Sequence, residues 1–329
     1  MTIRGRLEAS SNLIVGIVEH KFIGKGIEMT RVAILRCGKL PSFVDFDIPN
    51  LEELFEEDKL LQRGFEKQGF FAEPVVWNQP DIDWSKFDIA LIRSTWDYLD
   101  EKERFLEVMS LIEASSCKLF NSLAAVRWNI DKHYYFDLEK MGVPIIPTLL
   151  ASDVWRGALP ELFNKAQADT VILKPTIGLG GSHSYRVPIE ELNDRLAELK
   201  ANQPQDEYLI QPFIDDVISE GEWSFIYYNR QLSHVLLKKP APNDYRVQGI
   251  YGGTVQHAEP LPDDLRQAKA VMAKLPFDVL YARLDFVRVE DELSVIEIEL
   301  IEPIFYFNLV PESIDRLINA TRAKFEMRV

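Results

Sequence analysis

Apolar positions in the first third of the chain fall into short runs and helical stripes that alternate. Val32–Leu35 is a continuous apolar run, as in a strand covered on both faces, and it predicts a strand over Arg31–Cys37. Leu51, Leu54, Phe55, Leu61 and Phe65 then recur at helical spacing. Asn50 with Glu53 can cap that helix, and Gly69 can end it. Pro74–Trp77, Asp88–Arg93 and Lys118–Phe120 read as further strands, with a helix over Glu101–Ser115. Strand and helix alternating at this spacing predict a small parallel α/β domain over 29–121.

Beyond Asn121 the periodicity changes. A helix is expected over Asp131–Met141, strands over Thr170–Lys174, Ser184–Val187 and Tyr208–Phe213, and a helix over Ile189–Lys200. From Glu222 onward strands dominate. Glu222–Tyr228 and Gln231–Leu237 flank Asn229-Arg230 as a hairpin, and Tyr281–Val289 with Leu293–Leu300 forms another. The last helix falls near Ser313–Phe325. The expected division is 29–121, 122–214 and 215–329. Residues 1–28 read as an extension outside the core, because Met29 directly precedes the first clear strand.

The last hairpin carries a testable register. Ala282, Leu284 and Phe286 share one face by period two, as do Ile296, Ile298 and Leu300. Pairing Phe286 with Ile296 and Leu284 with Ile298 points both sets at one core and requires a three-residue turn, Glu290–Glu292. Asp285 then lies opposite Glu297, with Glu299 beside it. Like charges directly opposite destabilise a sheet, so something positive is expected among the three. Oxygen ligands without His or Cys suit Mg²⁺ or Mn²⁺. A solvated acidic face is the competing reading.

Lys174-Pro175 leads into the loop Gly178-Leu179-Gly180-Gly181-Ser182. A lysine ending a strand before bare backbone N–H groups can hold phosphate, although this is neither a Walker motif nor GxGxxG. Gln211-Pro212-Phe213-Ile214 is an apolar strand end that could receive a flat base. Lys238 and Arg246 follow, and Arg246 could clamp a phosphoryl group or a carboxylate. Each piece alone also fits an ordinary turn, strand or solvated charge.

Composition narrows the classes. With 37 Lys plus Arg against 52 Asp plus Glu, the formal charge of −15 argues against nucleic acid as a partner. No apolar run reaches the length of a membrane helix, and two cysteines without metal-type spacing fit a reducing cytoplasm.

The ordered set Asp131-Lys132, VILKP with its glycine loop, IQPFI, DYRVQG with Gly252-Gly253, and RLDF followed by EIELIEP resembles the ATP-grasp superfamily. The similar branch contains bacterial glutathione synthetase and glutamate ligases acting on a ribosomal protein. Arg93-Ser94-Thr95-Trp96-Asp97-Tyr98 resembles a subgroup that includes a D-cycloserine-forming ligase. The resemblance implies a parallel pre-ATP-grasp α/β domain followed by a two-subdomain ATP-grasp fold of α+β type. It implies ATP and Mg²⁺ as cofactors, and small-molecule carboxylate and amine substrates. A homo-oligomer is compatible with it.

Carried over by position, Lys132 and Lys174 would meet ATP phosphates, under a lid containing Gly178, Gly180, Gly181 and Ser182. Gln211, Pro212, Phe213 and Ile214 would form the adenine hinge, with Glu222 on the ribose. Asp285, Glu297 and Glu299 would hold the metal, and Arg246 and Lys238 would act in catalysis. Arg93, Ser94, Thr95, Trp96, Asp97 and Gln248 would face substrate. The chain departs from the pattern at Ser224, where an arginine is usual, at Glu299, often Asn, and at Gln248, also commonly Asn. The implied reaction is ATP-dependent ligation through an acyl phosphate. A small-molecule kinase and a nucleotide-binding regulatory protein are the alternatives.

Overall fold

A computed structural model describes residues 29–42, 44, 54–154, 168–204 and 206–327. Three sheets organise it. The first is parallel, in the order β2-β1-β3-β4, from β1 (Arg31–Arg36), β2 (Phe71–Val76), β3 (Ile89–Ile92) and β4 (Lys118–Phe120). Its central strands are apolar throughout because both faces are covered. Val32, Ile34, Ile89 and Leu91 pack with Leu61 and Phe65 of the helix Glu56–Lys67 and with Leu317 and Ile318 of the C-terminal helix Ser313–Glu326. Ala33, Leu35, Ala90 and Ile92 pack on the other side, against Phe105, Val108, Met109 and Ile112 of the helix Lys102–Ala114.

The helix after β1 begins at Glu56 with Phe55 at its cap, and no side chain caps it. Asn50 and Glu53, expected to cap it, lie outside the described residues, as does the extension 1–28. The helix expected over Asp131–Met141 is Tyr134–Lys140, and an unexpected further helix, Leu123–Asn129, capped by Ser122, precedes it. Asn121 stitches this junction to the C-terminal half. Its amide nitrogen donates to the carbonyls of Tyr281 and Leu300, at 2.9 and 2.7 Å.

A four-stranded antiparallel sheet follows, in the order β5-β8-β6-β7, from β5 (Leu149–Leu150), β6 (Thr170–Pro175), β7 (Tyr185–Pro188) and β8 (Tyr208–Pro212). Its small core is closed by Leu192, Leu196 and Leu199 of the helix Leu192–Asn202.

The third sheet is antiparallel, in the order β11-β10-β9-β12-β13, from β9 (Glu222–Tyr228), β10 (Gln231–Lys239), β11 (Thr254–His257), β12 (Tyr281–Val289) and β13 (Glu292–Glu299). Phe225, Tyr227, Leu284 and Phe286 point to a core shared with the helices Tyr134–Lys140 and Pro262–Lys274. Each such large apolar side chain contributes about 1.5–3 kcal/mol through burial. The opposite face carries Ile226, Tyr228, Leu236 and Tyr281, which join the core under the parallel sheet.

The hairpin register is as expected at one end only. Leu284 faces Ile298 and Asp285 faces Glu297, but Phe286 faces Val295 across a bulge, and Val289 pairs with Glu292. The turn therefore has two residues, with Glu290 at a φ of 57°. A slip of one residue would reverse the buried face. The bulge at Ile296 absorbs that slip, so Leu293 and Val295 are buried on the turn side of it and Ile298 and Leu300 on the other.

Candidate active site

One cleft lies between the second and third sheets. It is lined by Lys132, Lys174, Gly178–Ser182, Gln211–Ile214, Glu222, Arg246, Gln248, Ile296 and Glu297. Residues separated by more than 160 positions are thus gathered on one concave surface. The two strands β6 and β8 pair antiparallel, which sets Lys174 opposite Leu209 and Ile172 opposite Gln211.

Lys132 donates to the Gly178 carbonyl at 2.6 Å and pairs with Glu297 at 3.3 Å. Lys174 donates to the Tyr135 hydroxyl at 2.8 Å and to the Ile296 carbonyl at 3.2 Å, with its ammonium over the Tyr135 ring. Among the described residues it makes no ion pair. Burial pulls its ammonium down to about 7, against the pull of Glu297. The bulge is what brings the Ile296 carbonyl to this lysine.

The glycine loop is held in a shape few other residues adopt. Gly180 and Gly181 have φ of 63° and 71°, and a Cβ at Gly181 would lie 3.2 Å from the Gln248 side-chain oxygen. Gln248 therefore backs the loop. Gln211 donates to the Thr148 hydroxyl at 2.8 Å, which leaves the hinge Pro212–Ile214 to face the cleft. Arg246 stands in the wall, gripped by Asp244 through Nε and Nη2 at 3.1 and 2.9 Å and laid over the Tyr251 ring.

Charged groups cluster on the third sheet beside the cleft. Asp285, Glu297 and Glu299 each bring a carboxylate oxygen within 4.8 Å of the others. The positive charge expected among them is Arg283, with Lys238 behind it. Arg283 reaches Asp285 through Nε at 3.0 Å and Nη2 at 2.9 Å, and its Nη2 also donates to Glu299. Lys238 pairs with Glu222 at 2.8 Å and with Asp285 at 3.4 Å, and Ser224 donates to Asp285 at 2.6 Å. The Ser224 that replaces the usual arginine is therefore part of the cluster.

Burial would push Asp285 up, but Arg283 and Lys238 hold it below the ordinary carboxylate range. Burial carries Glu299 up to about 7, with Arg283 opposing and Glu297 assisting. Burial and Arg283 draw Lys238 down, yet Asp285 and Glu222 outweigh them and leave it raised. An all-oxygen set of this kind fits Mg²⁺ or Mn²⁺, and the excess of carboxylates over cations leaves room for the charge.

The segment Arg93–Asp97 lies outside this cleft, at the carboxyl end of β3. Arg93 is buried, donates to Glu57 at 3.2 Å and covers the Phe305 ring. The Ser94 carbonyl accepts from Cys37, and Thr95 is fully buried. Trp96 stacks on Phe55, with ring centres 5.8 Å apart. Asp97 accepts from the Trp77 indole and from the Gly38 amide. Trp96, expected to face substrate, remains partly exposed, whereas the Asp97 carboxylate is committed to Trp77 and Gly38. The short helical turn Trp96–Leu99 rotates Asp97 inward, where it caps the β1 loop.

Three residues of the site escaped the sequence reading. Arg283 shares its face with Asp285 by period two, so the RLDF pattern already contained it. Tyr135 adjoins Lys132 in sequence but had no polar signature. Glu302 lies just past β13 and accepts from Tyr98 at 3.1 Å.

Residues 32–121 match the family of the N-terminal domain of D-cycloserine synthetase DcsG. The chain is 27% identical over 274 residues to the cycloserine biosynthesis protein DcsG of Streptomyces lavendulae, covering 79% of this chain and 87% of that protein. The crystal structure of D-cycloserine synthetase DcsG superposes with a TM-score of 0.76 at 22% identity, over 90% of this chain and 99% of that one. D-alanine–D-alanine ligase from Bacillus anthracis, complexed with ATP, superposes with a TM-score of 0.63 at 13% identity, over 91% and 99%. Among the described residues no helix is long and apolar enough to cross a membrane.

Proposed function

We propose that this homologue of DcsG, built on the ATP-grasp fold, is an ATP-dependent carboxylate ligase working through an acyl phosphate. The observation that carries the reading is the placement of Asp285, Glu297 and Glu299, with Arg283 and Lys238, at the end of the cleft that holds Lys132, Lys174 and the glycine loop. A phosphate chain lying between two lysines and running toward a carboxylate cluster is the arrangement phosphoryl transfer needs.

In this reading the hinge Pro212–Ile214 takes the base, and Lys132 and Lys174 take phosphate oxygens. Mg²⁺ held by Asp285, Glu297 and Glu299 would neutralise charge on the transferring phosphoryl group. A substrate carboxylate attacks the γ-phosphorus of ATP, and ADP leaves. Arg283, paired with Asp285 and Glu299, would balance charge on the acyl phosphate from behind them, and Lys238 keeps Asp285 ionised. An amine or related nucleophile then attacks the acyl carbon, and phosphate departs. Arg246, oriented by Asp244, would steady the phosphoryl oxygens from the wall. The substrates are small molecules, in keeping with the ligases this chain resembles.

The test is trapping. The full chain is incubated with Mg·ATP, hydroxylamine and a panel of amino acids, hydroxy acids and small peptides. A hydroxamate formed in step with ADP supports the ligase. A stable phosphorylated acceptor with no hydroxamate would make the protein a kinase instead.

A further inference from the structure

Lys174 has three N–H donors, and two of them are spent among the described residues. One goes to the Tyr135 hydroxyl at 2.8 Å and one to the Ile296 carbonyl at 3.2 Å. The Tyr135 hydroxyl in turn donates to that same carbonyl. Its single proton is thereby committed, so toward Lys174 the phenol can only accept. The ammonium also lies over the Tyr135 ring, 4.5 Å from its centre. Ring, hydroxyl and carbonyl hold it from the protein side, and Lys174, Ile296 and Glu297 all line the nucleotide cleft.

The tyrosine itself has no room to move. It is fully buried and stacked on Tyr134, with ring centres 5.1 Å apart. The Tyr134 hydroxyl accepts from the Ile298 amide at 3.1 Å. The first two residues of the helix Tyr134–Lys140 thus grip β13 on both sides of Glu297, through the carbonyl before it and the amide after it. Of the pair, Tyr135 is the one that bonds Lys174. Lys174 stands on β6 and Glu297 on β13, in different sheets, and the Tyr135 hydroxyl is where the two are tied.

We infer that Tyr135 is a positioning residue for the nucleotide. By taking one donor of Lys174 and sharing the Ile296 carbonyl with it, the hydroxyl fixes the direction of the third donor, which is left for a phosphate oxygen. This rests on the reading of the cleft as an Mg·ATP site. A long side chain tethered in this way has less freedom to lose when the phosphate arrives.

Mg·ATP titrations of Tyr135→Phe test this in two backgrounds. The change keeps the ring and removes the hydroxyl, and the Ile296 carbonyl retains Lys174 as a donor. Mg·ATP affinity should fall about 3- to 10-fold, the range for one hydrogen bond. In the Lys174→Met chain the same change should cost no further affinity, because the hydroxyl acts through the ammonium it orients. Tyr134→Phe controls for loosening of the junction. It should lower the melting temperature and leave Mg·ATP affinity unaltered. Full affinity in Tyr135→Phe, losses that multiply in the double variant, or an equal loss in Tyr134→Phe would each overturn the assignment, as would a Tyr135→Phe chain that does not fold. A wild-type chain that binds no Mg·ATP would instead remove the nucleotide reading itself, and the assignment with it.

Discussion

The Tyr98 hydroxyl donates to a Glu302 carboxyl oxygen across 3.1 Å, joining the turn after β3 to the segment that follows β13. Tyr98 is buried and stacked on Phe105, so its hydroxyl has little freedom to look elsewhere. Burial lifts Glu302 to about 8, with Glu299 adding to the effect. Its second oxygen is buried without a partner. Tyr98→Phe should therefore cost about 1–3 kcal/mol of stability by stranding the first oxygen too. Glu302→Gln keeps an acceptor for Tyr98 and should cost less. Urea melts of both variants check the order, and the reverse order would mean the bond does not hold the two segments.

The lysine at the end of β6 should matter for nucleotide more than for folding. Lys174→Met should weaken Mg·ATP by about 1.5–3 kcal/mol, roughly 10- to 150-fold, and shrink the rise in melting temperature that Mg·ATP produces. A full nucleotide shift in the variant would take Lys174 out of the site.

The same lysine gives a pH signature. Its folded value is lowered to about 7, from 10.5 when exposed. Below pH 7 it is charged in both folded and unfolded chains. Between 7 and 10.5 the unfolded chain binds the extra proton, so this group's contribution to apo stability rises with pH across that window. Bound phosphates favour the charged form. At pH 8 Mg·ATP binding should thus take up a proton, and affinity should fall as pH rises further. Calorimetry in buffers of different ionisation enthalpy would show this uptake in the wild type and its loss in Lys174→Met.

The three carboxylates should not respond alike. Glu297 is partly exposed, so Glu297→Gln should abolish Mg²⁺-dependent ATP turnover and leave the melt nearly unchanged. Asp285 is the buried counter-ion of both Arg283 and Lys238. Asp285→Asn should abolish turnover and also cost about 3–5 kcal/mol, because two buried cations lose their shared partner. Metal titrations alongside thermal melts separate the two. Wild-type turnover in both variants would reduce the cluster to a surface feature.

Gly178–Ser184 should exchange its amides quickly in the free protein and slow down with Mg·ATP, since Lys132 holds the loop at Gly178 and Tyr245 at Ser184, while nothing lies within 4 Å of a Cβ placed on Gly180. Exchange that ignores the nucleotide would argue against a closing lid.

Much of this was legible in the sequence where periodicity and burial agree. The strands Lys118–Phe120, Glu222–Tyr228 and Tyr281–Val289 fall on the expected residues, because each is apolar where both faces are covered. The pairing of Asp285 with Glu297 followed from matching two period-two faces at Leu284 and Ile298, while the bulge that shortens the turn left no mark in that pattern. The helix Pro262–Lys274 was overlooked although Pro262, two acidic residues in its first turn and the stripe Ala268, Val271, Met272 all announce it. The inward turn of Asp97 could not be read, since a four-residue helical turn leaves no period to follow. Nor could the Tyr306 backbone, whose left-handed twist is imposed by Glu57 and His234, far away in sequence.

The bulge at Ile296 has one more implication. Delete that single residue on paper and the ladder becomes regular: Asp285 still meets Glu297, Phe286 still meets Val295, and every apolar side chain keeps its side. The strand pairing and the apolar faces do not themselves require the extra residue. What deletion would erase is the carbonyl that Lys174 and Tyr135 both use, and the side chain that lines the cleft. Ile296 is therefore a residue that the strand pairing can spare and that Lys174 and the cleft wall use. Across relatives, its presence or absence should track nucleotide binding and leave foldedness untouched.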